Sequence, residues 1–413
     1  MKKQILWCKN YTLLIGATTL GAIGGITGSY ALSFLVFDET GSTLATGFLS
    51  ATQILPHFVL PILVAPWMDR MPRKPFLVGG DLLGGVLYGL AALYLRNFEF
   101  SYSGYLVFSL LINSINAFDS LAYNCIFPKT IPAGFEDKGF TVGAMLYPVL
   151  NVLMMPLAAV LMDLIGVANI LFLQSGLSIL AAITENGIKI EETVRLEEKK
   201  PGFSRWYQDL KEGFCYLKGE KGLLNIYAYD AVTNGAYTGM GPILVAFFRS
   251  TPGFSAQLYS YFSAAEFIGR SIGGAVRYRT NMKPEKRRKF VYGVQQFYNL
   301  MDAVLLWLPY PVMLANRSIC GFLGINSATV RMSSIHQYLP EEYRARVNAF
   351  STALIYVASS IASMLFGLLG EFLDYRLTMT TIACMSVIAC WLTVGRHKEE
   401  LDKIYLNQSV ESE

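Results

Sequence analysis

Twelve stretches of this chain run for roughly twenty residues or more with little charge, near 11–37, 42–68, 76–96, 103–128, 140–163, 167–185, 223–249, 255–279, 289–308, 311–336, 346–371 and 376–395. A hydrocarbon core of about 30 Å takes roughly 20 apolar residues of helix to cross. In that solvent each backbone N–H and C=O must be satisfied within its own segment, so such stretches become helices. Composition agrees: 53% of residues are hydrophobic and only 15% charged, against about 25% charge in soluble domains. The expected fold class is an all-α membrane protein of twelve transmembrane helices in two six-helix bundles.

One long polar stretch interrupts the series. Residues 186–222 carry Glu191-Glu192, Glu197-Glu198-Lys199-Lys200 and Pro201-Gly202. The expected organisation is therefore a bundle over 1–185, a linker over 186–222, a second bundle over 223–395 and a tail over 396–413.

The connections alternate in charge. One side holds Lys2, Lys3 and Lys9, then Arg70, Arg73 and Lys74, then Lys129 and Lys138. It also holds the cluster from Arg277 to Lys289, Arg344 and Arg346, and Arg396, Lys398 and Lys403. The opposite side has Arg96, Arg249 and Arg376. The positive-inside rule places both termini and the linker in the cytoplasm, in a cell inner (cytoplasmic) membrane. The first apolar run is too long for a signal-peptide core and reads as a retained helix.

Several function classes are excluded. Basic residues confined to short loops speak against nucleic acid. Six cysteines without metal spacing, four of them within apolar runs, predict neither a disulfide framework nor a metal site. Three histidines (His57, His336, His397), no phosphate-binding loop and no Gly-x-Ser-x-Gly leave no catalytic residues, no cofactor and no ATP-driven pump.

The halves echo each other. Lys129-Thr130-Ile131-Pro132 and Gln337-Tyr338-Leu339-Pro340 each lead from one apolar run into the next. The interval from Pro132 to Pro340, applied to the basic loop at 69–74, lands in the second basic loop at 277–282. Parallel six-helix repeats are a transporter architecture, with the solute site near mid-membrane.

Trp67-Met68-Asp69-Arg70-Met71-Pro72-Arg73-Lys74, followed by Asp81, resembles the loop 2–3 signature of the major facilitator superfamily. The form Asp-Arg-x-x-Arg-Lys then Asp is similar to the branch that holds macrolide-efflux and enterobactin-exporter proteins. Asp209 to Gly213 and Pro340 to Val347 resemble the same branch. The chain departs from the family at Ala65, at Pro72, at Asn113 (where proton-coupled members often have Arg) and at Met155-Pro156-Leu157-Ala158-Ala159. The resemblance implies a secondary transporter of a small, amphipathic solute, with export favoured and protons or sodium as coupling ion, working as a monomer among membrane lipids. It also implies a gating role for Asp69, Arg70, Arg73, Lys74 and Asp81, with Asp69 facing the start of helix eleven near Arg346. A non-transporting sensor or lipid-handling protein on the same scaffold is the alternative.

Charges inside apolar runs are costly, so they pair or line a wet cavity. They are Asp119, Asp230, Glu266, Arg270, Asp302, Arg317 and Arg331. Glu266 and Arg270 share a helical face four residues apart and are expected to pair. Asp302 and Arg317 flank the turn at Pro309–Pro311 at similar depth and are expected to touch. Asp119 and Asp230 have no partner nearby in sequence and are the coupling candidates. Asn113 and Tyr237 are candidate cavity residues. Glycines at four-residue spacing, Gly24 with Gly28 and Gly80 with Gly84, predict close helix packing.

Overall fold

A computed structural model describes residues 6–68, 71–132, 135–190, 203–280 and 282–406. Among the described residues the chain is helical throughout, with turns but no strand. In chain order the helices are α1 (Lys9–Thr40), α2 (Thr43–Met68), α3 (Lys74–Asn97), α4 (Tyr102–Thr130), α5 (Glu136–Asn186), α6 (Phe203–Gly219) and α7 (Lys221–Ser250). Then follow α8 (Ala256–Arg279), α9 (Pro284–Val304), α10 (Tyr310–Tyr338), α11 (Glu341–Phe372), α12 (Tyr375–Cys390, extended by a π turn over Trp391–Gly395) and α13 (Lys398–Tyr405). Each of the twelve expected segments falls on a helix.

Two of those segments share α5. They meet at Gly166, whose φ of 76° and ψ of 166° break the helix. Only glycine takes that conformation without strain, so the connection shrinks to a single residue. Elsewhere the ends are marked conventionally. Ser101 and Ser255 accept from Gly104 N and Leu258 N, and Gly41 closes α1 in the left-handed region.

Among the described residues, six helices are long and apolar enough, by length and composition, to cross a membrane. Their outward faces say the same. On α3, Leu82, Leu83, Val86, Leu90 and Leu93 are exposed along one side, while Gly84, Gly85, Tyr88 and Ala92 are buried on the other. A contiguous apolar stripe of this length is a liability in water and the solvated surface in lipid.

The chain divides into two compact units. The first holds Met1–Gly41 with Thr52–Phe203, and the second Ser42–Ala51 with Ser204–Glu413. In the first, α5 packs on α1 and α3; in the second, α7 packs on α11, α8 on α10 and α9 on α12.

The first turns of α2 belong to the second unit, where Gly47 and Gly367 bring α2 and α11 into backbone contact. Glu371 caps α2 there: its Oε1 accepts from Ser42 Oγ at 2.5 Å and Leu44 N at 3.0 Å. The linker is helical over α6, which docks on the start of α11 through Tyr216 stacked on Tyr343. The tail forms α13, whose Leu401, Ile404 and Tyr405 are buried against the second unit while Asp402 pairs with Arg288 at 2.5 Å.

Candidate functional site

In the second unit the sequence-predicted charges converge. Three close helix approaches set their spacing. A Cβ at Gly269 would lie 2.0 Å from the Ser318 carbonyl oxygen, and one at Gly321 would lie 2.3 Å from that of Glu266. Gly273 meets Phe322 in the same way. Ser318 Oγ donates to the Ala265 carbonyl at 3.0 Å and Asn326 Nδ2 to that of Gly273 at 3.1 Å, tying α8 to α10.

Arg317 sits at the centre, 1% exposed. Its Nη1 donates to Asp302 Oδ1 at 2.8 Å and to the Tyr298 hydroxyl at 3.4 Å. Its Nε lies 3.7 Å from Glu266 Oε2, an ion-pair distance without hydrogen-bond alignment. The guanidinium stands 5.2 Å from the Phe262 ring centroid, a cation–π distance. Glu266 Oε1 accepts from Arg270 Nη2 at 2.8 Å and Nε at 3.1 Å. Two acids and two arginines thus form one neutral cluster. It ends at open space: the Arg270 side chain is 41% exposed, and Tyr237, 48% exposed, lies 6.0 Å from its guanidinium.

Asp230 differs from expectation. It has no partner close in sequence, yet Arg331 of α10 brings Nη2 to 3.1 Å from its Oδ1, close enough for an ion pair though not aligned as a hydrogen bond. Helix packing supplies what sequence distance hid. Asp230 therefore loses its standing as an isolated carboxyl.

Asp119 keeps that standing. In the first unit its side chain packs on Gly80 of α3, where a Cβ would meet it at 3.4 Å, and its Oδ1 is buried without a hydrogen bond. Asp81 follows Gly80 in α3. Sequence reading missed a third acid, Glu185, in the last turn of α5. It is 3% exposed, and its Oε2 has no hydrogen-bond partner. It is the last residue of the apolar run at 167–185, next to the polar stretch that begins at residue 186. The overlooked signal was an acid where the helix dipole favours a base.

Of the gating candidates, Asp69 and Arg70 lie outside the described residues. Arg73 precedes α3 at its N-cap, and Lys74 Nζ donates to the Asn186 carbonyl at 2.7 Å. Arg346 pairs with Glu212 of α6 at 3.0 Å. Asn113 Nδ2 donates to the Ser109 carbonyl at 2.8 Å. Gly24 and Gly28 pack on Gln174 of α5, the close contact their spacing predicts.

The family model for the Major Facilitator Superfamily matches residues 13–301 and 287–405. The chain belongs to the major facilitator superfamily. It is a secondary transporter of small-molecule solutes and a multi-pass membrane protein, not an enzyme. Macrolide efflux protein A of Streptococcus pyogenes is 22% identical over 420 residues, covering 94% of this chain and 97% of that relative. Among solved structures, the nucleoside transporter NupG superimposes with a TM-score of 0.70 at 11% identity, covering 94% of this chain and 99% of that one. A bacterial homologue of the human lysosomal transporter Spinster, inward-facing and unoccupied, gives 0.68 at 12% identity, covering 98% and 99%. A POT family transporter in complex with 5-aminolevulinic acid gives 0.69 at 11% identity, covering 94% and 96%. These likenesses establish the fold.

Proposed function

We propose that the chain is a proton-coupled exporter of amphipathic small molecules, working as a monomer in the cytoplasmic membrane with both termini inside. The observation that carries this reading is the cluster of ionised groups around Arg317, buried among lipid-facing helices and ending in half-exposed Tyr237 and Arg270. Burying four charges for packing alone is expensive. A cluster that opens on one side gives an amphipathic solute a fixed dipole and a flat aromatic face. Near full-length collinearity with a macrolide efflux protein favours export and a large apolar solute.

Alternating access then moves the bundles 1–185 and 223–395 about the solute, with the Asp69–Lys74 loop as the gate. The chain supplies both halves itself, so one copy suffices. Asp119, with no basic partner, is the leading coupling carboxyl.

Inverted membrane vesicles loaded with the purified, reconstituted chain test the proposal. Erythromycin should accumulate when the vesicle lumen is acidified, and collapse of the gradient should abolish uptake. Binding of erythromycin without flux would favour a sensor, and indifference to the gradient would remove proton coupling.

A further inference from the structure

In the second unit α9 and α12 run antiparallel, and hydrogen bonds fix which of their residues stand level. Thr380 Oγ1 donates to the Ala303 carbonyl at 2.7 Å, and Gln296 Nε2 to that of Val387 at 3.4 Å. A turn further towards α13, a Cβ at Gly395 would lie 3.0 Å from the Tyr292 hydroxyl. The same register sets Lys286 and Lys289 of α9 level with Arg396, the residue after the π turn. Lys289 lies two turns from Gln296 on one line of α9, and Trp391 one turn from Val387 on α12. Both therefore border the α9–α12 seam.

The seam has a charged end and an apolar length. Lys286, Lys289, Gly293, Phe297 and Leu300 recur at three- and four-residue steps on α9, and all five are exposed. Ile388, Trp391, Leu392 and Arg396 are exposed on the α12 side. A Cβ at Gly293 would meet nothing within 4 Å, so the surface is recessed beside Lys289. Two neighbouring bases are already engaged: Arg287 Nε donates to the Met282 carbonyl at 3.4 Å, and Arg288 pairs with Asp402 at 2.5 Å. Lys286, Lys289 and Arg396 take part in no described ion pair. Arg396 is set over the Trp391 ring, 5.5 Å from its centroid. The acids at this end are Glu285, Glu399, Glu400 and Asp402. Residues 283–289 and 396–402 hold seven Lys or Arg against those four, so the surface is positive.

Three cations at the end of an apolar seam fit a molecule with an anionic head and a long hydrocarbon tail. Free phosphate would use only the cations, and a neutral lipid only the seam. Trp391 adds a ring of the kind that settles at headgroup level. We propose that the α13 end of the α9–α12 seam binds an anionic phospholipid. Its phosphate lies between Lys286, Lys289 and Arg396, and an acyl chain runs over Gly293, Phe297 and Trp391. The site is separate from the Arg317 cluster and does not depend on the solute or its coupling.

Trp391 reports the site directly. The full chain is reconstituted in phosphatidylcholine vesicles containing a minor fraction of lipid brominated on its acyl chains, either phosphatidylglycerol or phosphatidylcholine. The part of the tryptophan quenching that Trp391→Phe removes should be severalfold larger with brominated phosphatidylglycerol. Each lysine near the surface strengthens the hold on an anionic headgroup about fivefold. Lys286→Gln with Lys289→Gln should therefore erase the preference, and Lys286→Arg with Lys289→Arg should keep it. Lys398→Gln with Lys403→Gln removes the same charge from α13 and should leave the preference in place. Equal quenching by the two brominated lipids in wild type would overturn the site. So would equal losses in the two glutamine pairs, which would mean diffuse attraction to a basic surface. If Trp391→Phe or the first glutamine pair does not fold, native mass spectrometry of the chain from mixed micelles decides. Retained phosphatidylglycerol that Arg396→Gln releases supports the site; retention indifferent to Arg396→Gln, or equal retention of phosphatidylcholine, overturns it.

Discussion

The two units solve the problem of buried charge in opposite ways. In the second, Arg317 joins Asp302 and Glu266, Arg270 joins Glu266, and Arg331 joins Asp230, so each of these buried acids meets a cation. In the first, Asp119 and Glu185 each bury an oxygen without a partner. Paired ions hold a fixed charge; lone carboxyls are neutral only while protonated. The difference leaves the second unit with fixed, paired charge and the first with buried carboxyl oxygens that no described cation meets.

The comparison breaks most visibly at Arg317. Arg317→Met would leave Asp302 and one edge of Glu266 unpaired in an apolar interior, a loss of about 3–5 kcal/mol. Thermal unfolding in detergent, followed by size-exclusion, should register it as a large fall in melting temperature. Adding Asp302→Asn to Arg317→Met should recover part of the loss, since the stranded charge is gone. A single variant as stable as wild type would mean that the acids are compensated by groups other than Arg317.

Next in size is the helix approach that assembles the cluster. Gly269→Ala sets a methyl 2.0 Å from a backbone carbonyl of α10, which cannot swing away. Overpacking of this kind costs roughly 1–3 kcal/mol. The first unit offers its contrast at Gly28, where the added methyl meets the terminal amide of the Gln174 side chain and no backbone atom. Gly28→Ala should therefore be the milder change in the same assay. Equal losses would remove the claim that the α8–α10 approach is the more rigid one.

Asparagine in place of each acid sharpens the electrostatic half of the contrast. Asp302→Asn should destabilise, because it leaves Arg317 with only its longer, unaligned ion pair to Glu266. Asp119→Asn should not, because no described ion pair is lost. Its effect should fall on the gradient dependence of flux in reconstituted vesicles. If Asp119→Asn unfolds the protein and Asp302→Asn does not, the roles of the two units are reversed.

How much of this was legible in the sequence follows from the range of the interactions. Apolar runs and basic loops are local, so helix positions could be read directly. Glu266 with Arg270 is a four-residue helical contact, and Asp302 with Arg317 flanks one short turn, so both pairings were legible as well. Asp230 with Arg331 was not, because α7 and α10 lie far apart in the chain and only packing joins them. Glu185 was hidden for another reason: an acid beside Asn186 and Gly187 has the composition of a loop, and burial alone reveals it. The kink at Gly166 likewise needs coordinates, since a lone glycine between two apolar runs marks a boundary without fixing its angle.

The smallest expected effect concerns a pair that resembles the buried ones only in its charges. Arg346 meets Glu212 at 3.0 Å, but the two side chains are 33% and 52% exposed. Water screens such pairs, and the cost of ordering two long side chains offsets most of what remains, so their contribution stays below about 1 kcal/mol. Arg346→Ala should leave the melting temperature nearly where it is. Stability being unaffected, any change in erythromycin flux in this variant must come from the docking of α6 on α11 or from the gate that the Asp69–Lys74 loop is proposed to form. Glu212→Ala separates the two: it removes the α6 partner and leaves Arg346 in place. Matching flux defects in the two variants would assign the effect to the linker helix. A defect confined to Arg346→Ala would assign it to the gate.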